Sequence, residues 1–276
     1  NSRPYNTCML VSHETPISFL EESREYNDYD YALVHLFETH PEYYSFFKCS
    51  LGMGREVLLD NSIFELKTAF DPEKFAKYIE ELKPTYYVVP DVLEQSLRTI
   101  GAFNNFKKNY MNLPGLRIGV VQGGTYQQLV DCYLYMSDYA DYIAISFDYS
   151  WYQTVGYSRN PGKGLRRASL ERMCNGREFL IRKLISDGHW NHNKPHHLLG
   201  CSLAKEFKNY KDIKNIRSLD TSNPVVAGIK GLRYYKNIGL LEKPDIMLAD
   251  LIDHKVTADE VFDIAHNTRE FKNLLI

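Results

Sequence analysis

Ile118-Gly119-Val120-Val121-Gln122-Gly123-Gly124 is a short β-branched run that halts on a carboxamide and is followed by two glycines. Two runs of the same design precede it. Tyr86-Tyr87-Val88-Val89-Pro90 halts at Asp91, and Val57-Leu58-Leu59 halts at Asp60. The halts are evenly spaced, 31 residues from Asp60 to Asp91 and 31 from Asp91 to Gln122 (91 − 60 and 122 − 91), close to the length of one strand-helix unit. Working outward, Tyr142-Ile143-Ala144-Ile145 reaches Ser146, His197-Leu198-Leu199 reaches Gly200, Ile216-Arg217-Ser218-Leu219 reaches Asp220, and Cys8 to Val11 supplies a first strand. These are seven strands. The eighth is expected near Val225 to Ile229 or near Ile246 to Leu248.

Helical signatures separate the strands. Asp71-Pro72-Glu73 reads as an N-cap, a first-turn proline and an acidic first turn, after which Phe75, Tyr78, Ile79 and Leu82 recur at helical spacing. Tyr126 to Tyr139 and Leu203 to Ile213 read as helices, and Thr257 with Glu260 forms a capping box for a last helix running towards Leu275. Parallel strands alternating with helices fit a (β/α)8 barrel or an open doubly wound sheet. The barrel is preferred because no glycine-rich dinucleotide turn follows the first strand. The expected architecture is one α/β domain over residues 1–276, a TIM-like (β/α)8 barrel with a basic insertion at 147–195 after the fifth strand.

Composition narrows the class. With 276 residues, 44% hydrophobic and 25% charged, the chain has apolar material for a core and lacks a run of bilayer length. Lys and Arg total 33 against 35 Asp and Glu, a net charge of −2, so any nucleic-acid contact must come from a local patch. The five cysteines, Cys8, Cys49, Cys132, Cys174 and Cys201, never form a C-x-x-C pair, which argues against a disulfide framework or a thiolate zinc site. A cytoplasmic protein without a membrane partner is the expectation, in the host cytoplasm for a viral chain. The local patch is the insertion, where Lys163, Arg166, Arg167, Arg172, Arg177, Arg182 and Lys183 face only Glu171 and Glu178. A solvated helix face and a phosphate-binding surface both fit that charge pattern.

In barrels the loops at the C-terminal strand ends converge on one face, and Asp60, Asp91, Gln122 and Asp220 all stand at such ends. A single aspartate there serves as a cap as readily as a catalyst. Three carboxylates and an amide on one rim are costly unless a ligand, a proton or a metal uses them. Paired carboxylates serve glycosyl transfer, one as nucleophile and one as acid/base. A carboxylate beside a carboxamide also suits a guanine-like edge, whose N1–H and amine donate while its O6 accepts. No strand ends in the lysine of a Schiff-base aldolase, Gly162-Lys163-Gly164 lacks the flanks of a P-loop, and His189, His192, His196 and His197 match no metal-ligand spacing.

The stretches that carry these residues resemble the tRNA-guanine transglycosylase superfamily. Gly119-Val120-Val121-Gln122-Gly123-Gly124 is similar to the family's G-[IV]-V-Q-G-G base-binding strand, Asp60-Asn61-Ser62-Ile63-Phe64-Glu65 to its D-S-G-G-[FY]-Q element, and Lys194-Pro195-His196-His197-Leu198-Leu199-Gly200 to its K-P-x-Y-L-M-G strand. Leu219-Asp220-Thr221-Ser222 occupies the place of the strand with the nucleophilic aspartate. The shared order runs from about residue 55 to 225. The resemblance implies that Asp220 attacks the anomeric carbon and that Asp60 is the general acid/base. It implies that Asp91 accepts from the guanine N1–H and amine, that Gln122 and the amides near Gly123 and Gly124 meet O6, and that Phe64 stacks on the ring. Leu199 and Gly200 would cover the other face, with Ser146 and Phe147 where the family has Gly-Leu.

The family's RNA-modifying members carry a cysteine-rich zinc site after the nucleophile, and here no cysteine follows Cys201. The compact form resembles the DNA-modifying branch, the deazaguanine DNA transglycosylases of bacteria and their viruses. The implied activity is a glycosyltransferase reaction exchanging guanine in flipped or single-stranded DNA for a 7-deazaguanine base such as preQ0, with no metal and no other cofactor. Its Lys163, Arg166, Arg167, Arg172 and Arg177 would hold phosphates. Exchange in tRNA, or a non-catalytic nucleic-acid-binding paralogue, are the alternatives.

Overall fold

The computed structural model of the chain describes residues 9–159 and 165–276. Eight strands form its centre: β1 (Leu10–His13), β2 (Asp30–Leu33), β3 (Val57–Asp60), β4 (Tyr86–Val88), β5 (Leu116–Val121), β6 (Tyr142–Ser146), β7 (His196–Leu199) and β8 (Ile216–Thr221). Every ladder is parallel, and the order β1-β8-β7-β6-β5-β4-β3-β2 follows the chain around a nearly closed (β/α)8 barrel. Side chains stitch the seam between β1 and β2. The Tyr31 N–H donates to Ser12 Oγ (3.1 Å), and the Val11 N–H donates to Asp28 Oδ2 (3.0 Å). No helix among the described residues is long and apolar enough to cross a membrane.

The eighth strand is β2, and neither expected segment supplies it. Asp28 to Asp30 reads against a strand, because aspartate is depleted there. Asp30 is nevertheless fully buried, and Arg55 neutralises it with two hydrogen bonds of 2.8 and 2.9 Å. The partner that permits the strand lies 25 residues away. Val225 to Ile229 instead belongs to the helix Asn223–Ile229, begun by Pro224 in its first turn, and Leu248 opens the 3-10 turn Leu248–Leu251. The basic segment therefore follows the sixth strand rather than the fifth. Its main element is the long helix Leu165–Ser186.

Leu203 to Ile213 contains a 3-10 helix, Ala204–Tyr210, and no α-helix. Its buried Ala204, Phe207 and Tyr210 recur every three residues, the period of that tighter helix. Other helices form where expected. Asp71 caps Pro72–Leu82 by accepting from the Lys74 N–H at 2.9 Å, and Thr257 and Glu260 cap Ala258–Leu275 reciprocally. Tyr126–Tyr139 lies close on β5 because Gly119 has no side chain. A Cβ there would stand 2.4 Å from Met136 Sδ and 2.9 Å from the Ala140 Cβ.

Candidate active site

The strand ends converge as a barrel requires. Asp60 ends β3, Asp91 follows β4, Gln122 follows β5, Ser146 ends β6, Leu199 ends β7 with Gly200 next, and Asp220 is the penultimate residue of β8. All of them line one cavity of about 300 Å³, together with Phe64, Phe147 and Arg166. That volume suits a small-molecule ring system.

Asp220 is held from below. Its Oδ1 lies 2.9 Å from His197 Nε2 and accepts from the Gly200 N–H at 3.3 Å. The chain continues from His197 Nδ1 to Ser218 Oγ (2.8 Å) and from Ser218 Oγ to the Tyr142 hydroxyl (2.6 Å). With Nε2–H donating to the carboxylate, Nδ1 accepts from Ser218, so each buried polar atom in the row is satisfied. The His197 ring is parallel to Tyr31, with 6.1 Å between centroids. The alternation of a strand sends its neighbour His196 the other way, onto Trp190 at 3.8 Å between ring centroids and to the Tyr133 hydroxyl. His196 and His197 thus lie on opposite sides of β7. Among the described residues no group of three or more His, Cys, Asp or Glu is arranged to hold a metal ion.

Two further carboxylates line the cavity, Glu14 immediately after β1 and Glu65 on the turn after Asp60. Burial first, and then the Asp220, Glu65 and Asp60 charges, push the Glu14 carboxyl well above its usual range. Burial followed by Glu65 does the same to Asp60, although the Ser62 N–H donates to Asp60 Oδ2 at 2.8 Å and opposes the shift. Glu65 is pushed up to about 7, mainly by burial, with Asp220 adding to it. Glu14, Asp60, Glu65 and Asp91, all raised, line the same cavity as Asp220, and carboxyls so crowded and buried favour keeping a proton among them. The arrangement can therefore keep one carboxyl protonated as an acid beside another that is a carboxylate, the division of labour of general acid and nucleophile.

Asp91 and Gln122 meet, but not as separate base-reading groups. Gln122 Nε2 donates to Asp91 Oδ2 (2.8 Å), Asn61 Nδ2 donates to Asp91 Oδ1 (2.7 Å), and Gln122 Oε1 accepts the Glu94 N–H (2.8 Å). Burial raises the Asp91 pKa, and the two amide donors pull against it. Gly123 and Gly124 do not line the cavity, contrary to the sequence expectation. A Cβ on Gly123 would be 2.8 Å from the Leu129 amide nitrogen, and the Gly124 N–H is taken by Gln128 Oε1 at 2.9 Å, so both serve the entry into the helix Tyr126–Tyr139.

Gly200 has φ +66°, and a Cβ there would lie 2.3 Å from Phe147 Cδ1, so only glycine fits against that wall. Phe147 in turn contacts Phe64, with 5.5 Å between ring centroids.

Several cations of the basic segment are engaged by the protein's own acids or carbonyls. Arg177 is fully buried, which corrects its expected phosphate role. Its Nε donates to Glu206 Oε1 at 2.6 Å, and its other nitrogens donate to the carbonyls of Leu199 (2.9 Å) and Gly200 (3.0 Å). It buttresses the cavity wall from behind. Arg167 approaches Glu171 at 4.0 Å, Arg182 pairs with Asp212 at 2.5 Å, and Arg172 is half-buried. Arg166 lines the cavity and pairs with Asp245 at 3.1 Å. Lys163 lies outside the described residues.

Sequence reasoning missed Glu14, Glu65, His197 and Lys243. Glu14 carried a signal, since it follows a strand as Asp91 follows another. Lys243 carried none, because a connection of irregular backbone brings it to the cavity. Comparison of the chain with family models and with curated proteins returned no match.

Proposed function

We propose that this protein is a base-exchange transglycosylase that replaces guanine in DNA with a 7-deazaguanine base. The observation that carries this reading is the meeting of Asp60 and Asp220 in one cavity with the Asp91–Gln122 pair. Asp220 attacks C1′ of the target nucleotide as the bond to guanine N9 breaks, and the Asp60 carboxyl gives its proton to the leaving purine. A covalent ester between the sugar and Asp220 results. The incoming base then loses a proton to the Asp60 carboxylate and attacks C1′, and Asp220 departs, so two inversions give net retention. The raised Asp60 pKa supports its role as the acid. The buried His197–Ser218–Tyr142 row supports Asp220 as a group held in one orientation. Because a duplex hides the anomeric carbon, the target is flipped or single-stranded.

The test is incubation with guanine-containing DNA and preQ0, followed by digestion and detection of the modified nucleoside. Incorporation is expected, with a covalent protein-DNA adduct on denaturing gels. Asp220→Asn is expected to lose the adduct and to slow exchange by on the order of 10³-fold or more. Incorporation into tRNA alone would move the reaction to RNA, and incorporation into neither would overturn the reading.

A further inference from the structure

Two cations beside the cavity have no carboxylate within ion-pair distance among the described residues. Lys243 lies on the connection 230–247 that follows the helix Asn223–Ile229, lines the cavity, and places its ammonium 4.9 Å from the centroid of the Phe147 ring. Lys67 leaves the short helix Ile63–Leu66 at φ +63° and places its ammonium 4.4 Å from the centroid of the Phe64 ring. Since the two rings touch, the two ammonium groups flank one pair of aromatic side chains, and both act on the Asp148 carboxyl. Among the described residues neither lysine makes an ion pair or a side-chain hydrogen bond.

This arrangement is held in place. Arg166 Nη2 donates to the Pro244 carbonyl at 2.9 Å and its Nη1 pairs with Asp245, which fixes the residues beside Lys243 across the cavity. Burial lowers the Lys243 pKa, with Arg166 adding to that and Asp148 opposing it. A cation so enclosed without a partner is costly unless an anion completes it. Of the cations that the sequence offered for this task, Arg166 and Arg177 are already paired with Asp245 and Glu206.

We propose that Lys67 and Lys243 are a phosphodiester subsite, gripping the backbone on either side of the nucleotide whose base enters the cavity. The inference rests on the reading of the cavity as a nucleic-acid transglycosylase site and adds to it the surface that holds the polymer. Two cations separated by two aromatic rings ask for two phosphates on one chain rather than for one free anion. The carboxylates around Asp220 repel phosphate from the floor, so the backbone stays at the rim while the neutral base descends. Asp148 acts on both lysines, and Asp245 pairs with Arg166.

The experiment measures binding of a single-stranded, guanine-containing DNA by fluorescence anisotropy between about 50 and 200 mM salt. Lys67→Gln and Lys243→Gln are each expected to flatten the plot of log affinity against log salt by about 0.7, the value of one phosphate contact on a single strand. Lys77→Gln, on the exposed face of the helix Pro72–Leu82, is expected to leave the slope unchanged. Methylphosphonates at the phosphates flanking the target guanine should produce the same loss with the unaltered protein, which tests the subsite without any change in folding. Unchanged slopes in both arms, with the wild type binding DNA, would overturn the subsite while leaving base exchange to be judged by the incorporation assay. Wild-type protein that binds neither DNA nor RNA would overturn both. An equal loss on an RNA strand would support a subsite that reads backbone charge irrespective of sugar.

Discussion

Glu65 shows how much one side chain contributes to the chemistry of this cavity. Its carboxyl is displaced from an ordinary value of 4.5 to about 7. Between those pH values the folded protein holds a proton that the unfolded chain has released. Stability therefore falls as pH rises through that window and levels off above about 7. Glu65→Gln removes the titration. Relative to wild type, the variant is expected to gain roughly 1–3 kcal/mol between pH 4.5 and 7 and nothing further above it. Denaturant unfolding of both proteins at several pH values measures this, and a constant difference across the range would contradict it. Burial, and after it the neighbouring carboxylates, also raises Asp60 and Glu14. Asp60 was legible in the sequence because it halts an apolar run at a regular interval. Glu65 was legible only as a letter in a motif, since the burial that perturbs it, and the Asp220 charge that adds to it, arise only when β3 and β8 enter one barrel.

At the scale of elements, caps and periods were readable where the deciding contacts are local. Asp71 satisfies the Lys74 amide three residues on, and such a cap is worth about 1 kcal/mol. Asp71→Ala is expected to lower the melting temperature by about 2–4 °C in a chain of this size and to leave the proposed base exchange untouched, a pairing that calorimetry and the incorporation assay check together. The elements that escaped sequence reading depend on distant partners. β2 is a strand because Arg55 neutralises Asp30. Ala204–Tyr210 winds as a 3-10 helix because a three-residue apolar row faces the core and Glu206 turns to Arg177. In β7 the alternation of the strand sends the adjacent imidazoles of His196 and His197 to opposite sides, one to pack on Trp190 and one to hold Asp220.

Across the whole molecule, Arg177 ties the long helix to the site. It reaches from Leu165–Ser186 to the carbonyls of Leu199 and Gly200 and to Glu206, entirely without solvent. Removing one partner of such a pair strands a buried charge, at a cost of about 3–5 kcal/mol. Arg177→Met is expected to lose stability of that order and to loosen the wall formed by Gly200 and Phe147. Adding Glu206→Leu should recover much of the loss, because no buried charge remains. Equilibrium unfolding of the single and double variants reads this directly, and a double variant no more stable than Arg177→Met would show that packing, not charge, dominates there.

By itself the sequence determined the barrel, most of its strands and the strand-end carboxylates, because burial on both faces writes parallel strands as apolar runs and the first polar residue marks their mouths. Only the tertiary structure decided which acids share a cavity, that the Gln122 amide is turned onto Asp91, that Gly123 and Gly124 stand behind the wall, and that Arg177 is interior. Those outcomes turn on distances between segments far apart in the chain. Neither the desolvation of a charge nor the presence of its partner is encoded in neighbouring residues.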